Sequence, residues 1–516
     1  MPEIELVLGL LALVVALGIL ARRLGLPYPL VMVLAGLAVG IVPGIPQVEL
    51  APDVVFLVFL PPILYAGGFF TSIRDFHANL RPIALLAFGL VLFSAAAVAV
   101  VAHALVPALG WAGAFVLGAI VSPPDAIAAT VIFQRLGVPR RIVTILEGES
   151  LVNDATALIV YRTALAALAV GSFSIVSAGV GFVFVLAGGI AVGAAVGWVV
   201  HKALDRAREP TFSVTISLIA PYAAYLSAEQ LGVSGVISAV VAGLFARRAL
   251  NSATSDTRIT ATAVWQTQLF ILNGLVFVLI GLQLRTVLAA LSTRSQADAI
   301  GLGAAVALTL IVARIAWVFP ATYIPRWVSP HIRRVDPAPP WRAVVVVAWS
   351  GLRGVVSLAA ALALPVHFPE RDLVVFVTFV AILATLVGQG LTLPPLIARL
   401  GIAADRDLAH DEGHARVLTA EAAISRIDQL ADEWPTHREL IDQLRDRYEH
   451  RTRDHQRGHE LGAAEQEVLE HTIIRRAVLE AERASAFDLR DRGVIDDEVL
   501  RELERDLDLD ELRMEA

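Results

Sequence analysis

Thirteen apolar stretches follow one another across the first 400 residues, and they constrain the fold more than any other feature. They lie near 3–22, 28–45, 51–70, 82–106, 111–135, 141–170, 173–203, 210–229, 233–249, 263–284, 297–323, 341–365 and 371–398. A bilayer core is crossed by about 20 consecutive apolar residues in helical form. The expected fold class is an all-α integral membrane protein with about 13 transmembrane helices.

Composition supports this and adds a boundary. The chain has 516 residues, 57% hydrophobic and 17% charged, where a soluble protein carries roughly a quarter charged residues. The charge is unevenly divided. Residues 1–400 hold 17 acidic against 24 basic side chains, and residues 401–516 hold 31 against 17. Two domains are expected: a transmembrane domain at 1–400 and an acidic helical cytoplasmic tail at 401–516. So acidic a tail argues against nucleic acid as a partner. There is no cysteine, which excludes disulfides, thiolate metal sites and cysteine nucleophiles. The first apolar run follows Glu3 and Glu5 and precedes Arg22 and Arg23, the reverse of a secretory signal.

Basic loop residues set the orientation. With the N-terminus outside, eighteen Lys and Arg fall in cytoplasmic loops, among them Arg22, Arg140, Arg141, Arg333 and Arg334. Three fall outside: Arg285, Arg294 and Arg371. The tail is then cytoplasmic. Spans 1–6 and 8–13 become inverted six-helix repeats joined by span 7, a symmetry that rests on topology, without a visible sequence repeat. Spans 5 and 12 correspond, and both are interrupted crossing helices. Span 5 breaks at Ser122-Pro123-Pro124-Asp125, span 12 at Ser350-Gly351-Leu352-Arg353-Gly354. Paired interruptions of this kind point to a transporter binding site.

Ionisable groups at membrane depth are costly and are functional candidates. Asp125 follows two prolines that lack backbone N–H groups, so carbonyls one turn earlier are freed. Freed carbonyls beside a carboxylate make an oxygen site suited to Na⁺. Span 6 carries Glu147-Gly148-Glu149-Ser150-Leu151-Val152-Asn153-Asp154. Ser150 and Asp154 share one helix face and Glu149 and Asn153 another, with Glu149 and Asp154 about 140° apart. Asp154 with Ser150 is therefore assigned to the ion, and Glu149 to Arg353 as a structural ion pair, since an unpaired arginine there is costly. Glu147 reads as facing an aqueous access, Arg162 and Arg314 as structural, and His103 as interfacial. Gly188, Gly189 and Gly193 read as close helix packing, not a phosphate loop. No nucleotide site, metal-ligand cluster or nucleophile–base arrangement is visible, which argues against an ATP-driven pump and against an enzyme.

Three stretches carry a resemblance: Ser122-Pro-Pro-Asp125-Ala-Ile-Ala-Ala, Glu147-Gly-Glu-Ser-Leu-Val-Asn-Asp154-Ala and Gly351-Leu-Arg-Gly354-Val-Val-Ser. They resemble the cation:proton antiporter-1 family, the Na⁺/H⁺ exchangers of bacterial type, over residues 1–400. The resemblance implies thirteen-span homodimers, with Asp125 and Asp154 as the cation and proton site holding Na⁺. It implies that Ser150 and the Pro124 carbonyl help ligate the ion, and that Glu149 pairs with Arg353. Asn153 stands where electrogenic relatives carry Asp, which implies electroneutral one-for-one exchange. Many members have Thr or another residue where this chain has Pro124. A carbonyl survives that change and a hydroxyl does not, so Na⁺ or Li⁺ versus K⁺ stays open.

The expected function is secondary active antiport at the cell membrane, serving sodium transport and pH homeostasis. No cofactor is expected beyond the transported Na⁺, Li⁺ or K⁺ and H⁺. Expected partners are membrane lipid, these ions and a second copy of the chain. The tail is expected to form several charged helices with breaks near Pro435, Gly458 and Gly493, and it reads either as a regulatory module with an unidentified partner, helped by seven histidines, or as a solvated helical bundle. A K⁺/H⁺ antiporter, a cation channel and a non-transporting sensor are the alternatives.

Overall fold

A computed structural model describes residues 2–42, 51–171, 174–207, 209–291, 296–402, 406–457 and 464–492, with 494, 499–500, 503–504, 506–508 and 510–511 beyond. Every regular element among these residues is helical. The chain divides into two compact units, Met1–Ala404 and Asp405–Ala516.

Ten helices of the first unit are long and apolar enough to cross a membrane. They are Ile4–Leu24, Pro52–Phe70, Leu80–Leu105, Pro107–Leu136, Arg140–Val170, Ile175–Arg206, Pro210–Gln230, Ser255–Ala290, Gln296–Val328 and Arg371–Leu400. The three remaining expected spans are helical but shorter or broken. Tyr28–Ile41 is brief, and residues 43–45 of that expected span lie outside the described residues. Gly235–Ser252 carries Arg247 and Arg248 toward its end. The twelfth is split into Trp341–Trp349 and Val355–Leu362.

Hydrocarbon offers the backbone no hydrogen bonds, so helices that satisfy themselves are the available solution. Apolar surface outside a core is then no liability. Ile175–Arg206 buries Gly189, Gly193, Gly197 and Val200, and exposes Ile175, Val180, Phe184 and Trp198. Its glycines meet Gly235–Ser252 closely: a β-carbon on Gly193 would lie 2.6 Å from the Ser238 carbonyl oxygen. This is the small-residue packing expected between membrane helices.

Two apolar cores result. One gathers Leu86, Leu117, Phe133, Leu310, Leu352 and Phe379. The other gathers Leu64, Tyr65, Tyr225, Val240 and Trp265. The sixth span, Arg140–Val170, contributes Leu146 and Tyr161 to the first and Leu151 and Ala155 to the second. It stands between two packed bodies. The last span contains a π-type turn at Ala384–Gln389, a distortion common at functional sites.

The tail unit contains Arg406–Glu433, Arg438–Arg457 and Ala464–Asp491. The break expected near Pro435 is present as a short turn at Pro435–His437. Those expected near Gly458 and Gly493 lie outside the described residues. Ile427 and Ile441 are buried within this unit.

Candidate cation site

The two interrupted helices meet at their breaks. Pro123 and Pro124 end the half-helix Gly110–Val121, because neither supplies an N–H. The next two N–H groups are then drawn elsewhere. Asp125 N donates to the Leu352 carbonyl at 2.7 Å, and Ala126 N to Ser150 Oγ at 3.4 Å. The carbonyls of Val121 and Ser122, which those N–H groups would have served, are taken by Arg353. Its Nε donates to Val121 O at 3.0 Å and its Nη2 to Ser122 O at 3.3 Å. Nη1 closes onto the Gly351 carbonyl of its own segment. A cation thus caps the C-terminal end of one half-helix, where the dipole favours it.

Asp125 caps the other half. Its Oδ1 accepts from Ile127 N at 2.8 Å, opening the helix Ala126–Leu136, the usual work of an aspartate at this position. Gly354 lets the opposite segment approach, since a β-carbon there would overlap the Asp125 carboxylate. Thr385, in the π-type turn, steadies that segment by accepting from Arg353 N at 3.3 Å.

The sixth span supplies the rest. Asn153 Nδ2 donates to the Pro124 carbonyl at 2.6 Å, which leaves Asn153 Oδ1 buried with no partner among the described residues. Asp154 is buried and within electrostatic reach of Asp125. Among the described residues neither aspartate has an ion-pair partner. Asp125, Ser150, Asn153 and Pro124 are thus joined by hydrogen bonds at the break, with Asp154 within electrostatic reach of Asp125. The free donors there are oxygens, a set suited to a monovalent cation.

One expectation is overturned. Glu149 pairs with Arg314, not with Arg353. Nη1 and Nη2 of Arg314 reach Oε1 and Oε2 of Glu149 at 2.6 and 2.8 Å, and Arg314 Nε donates to the Val347 carbonyl at 3.1 Å. Both side chains are 1% exposed. The planar fork of arginine matches a carboxylate edge with two parallel bonds, whereas the three nitrogens of Arg353 are occupied by carbonyls. The faces of one helix separate Glu149 from Asp154 and do not distinguish two arginines on different spans.

Arg162 binds Glu229 at 2.7 Å. His103 stacks on Trp111 with ring centroids 4.3 Å apart, and Glu147 is half-buried. Sequence reasoning missed Tyr28 and Asn273. They interact with each other, and Tyr28 also lies within electrostatic reach of Asp125. Both sit in apolar runs, and no intramembrane charge marks them.

The transmembrane model of the sodium/hydrogen exchanger family matches residues 9–399. Over 98% of its length the chain is 34% identical to an uncharacterized Na⁺/H⁺ exchanger of Mycobacterium tuberculosis, covering 95% of that protein. It is 32% identical over 76% of its length to a sodium, potassium, lithium and rubidium/H⁺ antiporter of Bacillus subtilis, covering 61% of that protein. Among solved structures, the sodium proton antiporter MjNhaP1 from Methanocaldococcus jannaschii has the same fold. The TM-score is 0.62 and the identity 20%, over 77% of this chain and 100% of that one. The chain belongs to the sodium/hydrogen exchanger family and is a multi-pass membrane antiporter of cations and protons.

Proposed function

We propose that this exchanger moves one Na⁺ or Li⁺ against one proton, the two competing for Asp125 and Asp154. The observation that carries the reading is the charge inventory of the breaks. Glu149 is neutralised by Arg314. Among the described residues Asp125 and Asp154 have no such partner, and Arg353 is the further charge at the breaks, its guanidinium on the Val121 and Ser122 carbonyls. Two carboxylates and one guanidinium leave a single negative charge. One Na⁺ cancels it, and so does one proton. Both loaded forms then carry the same charge, which is the condition for electroneutral exchange. The empty form is charged and costly to carry through hydrocarbon, so exchange is obligatory.

The cation takes its ligands from the Asp125 and Asp154 carboxylates, Ser150 Oγ, Asn153 Oδ1 and the second lone pair of the Pro124 carbonyl. Arg353, held by Gly351 and Gly354 at the break, fixes the frame. The two apolar cores support a rigid shift of the ion-carrying spans against the remainder. In this reading residues 1–400 form the transport domain, built from inverted repeats and working as a homodimer. The N-terminus is outside, and the tail of 401–516 is cytoplasmic. K⁺ is a second cargo reading. Pro124 offers no hydroxyl to a small ion, and the Bacillus subtilis relative is named for potassium as well as sodium.

The test is cation–proton exchange in proteoliposomes with Na⁺, Li⁺ and K⁺ supplied separately, wild type against Asp154→Asn. The wild type is expected to exchange Na⁺ and Li⁺, and the folded variant none of them. Full activity in the variant would remove Asp154 from the mechanism.

A further inference from the structure

Away from the breaks, three arginines from three spans surround one carboxylate. Arg81 lies in the first turn of Leu80–Leu105, Arg141 at the start of Arg140–Val170, Arg326 near the end of Gln296–Val328. Asp336 follows the short helix Pro330–Val335. Its Oδ1 accepts from Arg141 Nη2. Its Oδ2 accepts from Arg326 Nη2 at 2.7 Å, and its main-chain oxygen from Arg326 Nε at 2.9 Å. Arg326 Nη1 goes to the Thr322 carbonyl and Arg141 Nε to Asn79 Oδ1. Those two arginines are well supplied.

Arg81 is not. Its Nη1 stands 3.6 Å from Asp336 Oδ2, beyond a hydrogen bond. Its Nε and Nη1 are both buried without an acceptor among the described residues. It also feels Arg326 and Arg141 as like charges. Three guanidiniums against one carboxylate leave two positive charges in a partly buried cluster. Buried donors of a charged group are rarely left unmade.

We propose that this cluster binds an anionic phosphate group, with Arg81 as its principal donor. A phosphate offers two or more acceptor oxygens matched to the guanidinium fork, and a negative charge that offsets the excess. The surroundings suit the head of an acidic phospholipid. Trp327 and Trp341, on either side of the cluster in sequence, are 82% and 58% exposed, and tryptophan is enriched at the membrane–water boundary. Arg333 and Arg334 in the last turn of the short helix are exposed as well. Basic pockets between membrane helices take acidic head groups in this way. Inorganic phosphate presents the same chemistry from solution. The site ties the ends of spans that also carry Glu149, Asp154 and Arg314, so its occupancy bears on the geometry of the helix breaks.

The test is thermal unfolding of the full-length protein in detergent, titrated with dioleoyl phosphatidylglycerol, dioleoyl phosphatidylcholine or inorganic phosphate. Phosphatidylglycerol is expected to raise Tm and phosphatidylcholine to leave it unchanged. Arg81→Gln should weaken the phosphatidylglycerol dependence about tenfold or more, as loss of a charge-assisted fork would. Asp336→Asn should strengthen it, because a competing carboxylate is gone. A shift with phosphatidylglycerol alone assigns a lipid head; an equal shift with inorganic phosphate assigns a soluble anion. Equal shifts from both lipids, or an unchanged dependence in Arg81→Gln, would overturn the proposal. Should Arg81→Gln fail to fold, native mass spectrometry decides. Phosphatidylglycerol retained more strongly on Asp336→Asn than on wild type supports the site, and equal or weaker retention contradicts it.

Discussion

Asp125 and Arg353 hold the two severed ends of one helix, the base at the C-terminal end of its first half and the acid at the N-terminal end of its second. Each group satisfies main-chain atoms that the break leaves without a helical partner, so the charges and the break need one another. Gly354 is where this arrangement has least room. Gly354→Ala should leave a folded protein whose exchange rate falls about a hundredfold, since displacing a reacting group by about an ångström costs on that order; proteoliposome flux beside a detergent melting curve checks both halves. Arg314→Met is a different kind of lesion. It strands Glu149 in a buried setting and should destabilise the fold by about 3–5 kcal/mol, read as a lowered Tm. Adding Glu149→Gln should recover most of that loss. Of these residues, Asp125, Asp154, Ser150, Asn153 and the glycines could be picked out from the sequence, because intramembrane charges and helix breakers stand out against apolar runs. The partner of Glu149 could not be, because a helix wheel gives direction on one helix and says nothing of which neighbour stands there.

Elements followed the sequence wherever apolar length alone decides them. The spans expected at 82–106 and 141–170 are the helices Leu80–Leu105 and Arg140–Val170. Where polar turns extend a helix beyond the hydrocarbon, apolar length does not mark its start. The span expected at 263–284 begins at Ser255, because Thr254 caps it by accepting from Thr257 N and starts two polar turns before the apolar run. The short helix Pro330–Val335 was invisible for the same reason, yet it delivers Asp336 to the ends of three spans. Burial alone would raise the pKa of that carboxyl, but hydrogen bonds from Arg141 and Arg326 outweigh it and hold the group below the ordinary range. Its stabilising effect is therefore complete above the unfolded value near pH ~3.9, and is lost as pH falls through the lower folded value. Asp336→Asn should lower Tm at neutral pH and converge with wild type in strong acid, which melting curves across pH will check.

At the scale of the whole molecule, two apolar cores share one span, and that span carries the acidic half of the site. A rigid shift between the two bodies would carry Asp154 with one core while its span slides against the other. The sequence displayed the membrane unit and the acidic tail as two compositions. The division of the membrane unit into two cores was hidden, because apolar side chains facing lipid and facing protein look alike in a hydropathy profile. If a single negative charge is cancelled alike by Na⁺ or H⁺, the exchange rate should not change when a membrane potential of either sign is imposed on the vesicles. Current that scales with turnover would contradict the charge inventory. The most direct test of the central claim is the half-saturating Na⁺ concentration for exchange, measured as pH is lowered on the same side of the membrane. Competition for Asp125 and Asp154 predicts that it rises in proportion to proton concentration while the maximal rate stays constant. A maximal rate that falls while half-saturation stays fixed would mean that cation and proton occupy separate sites.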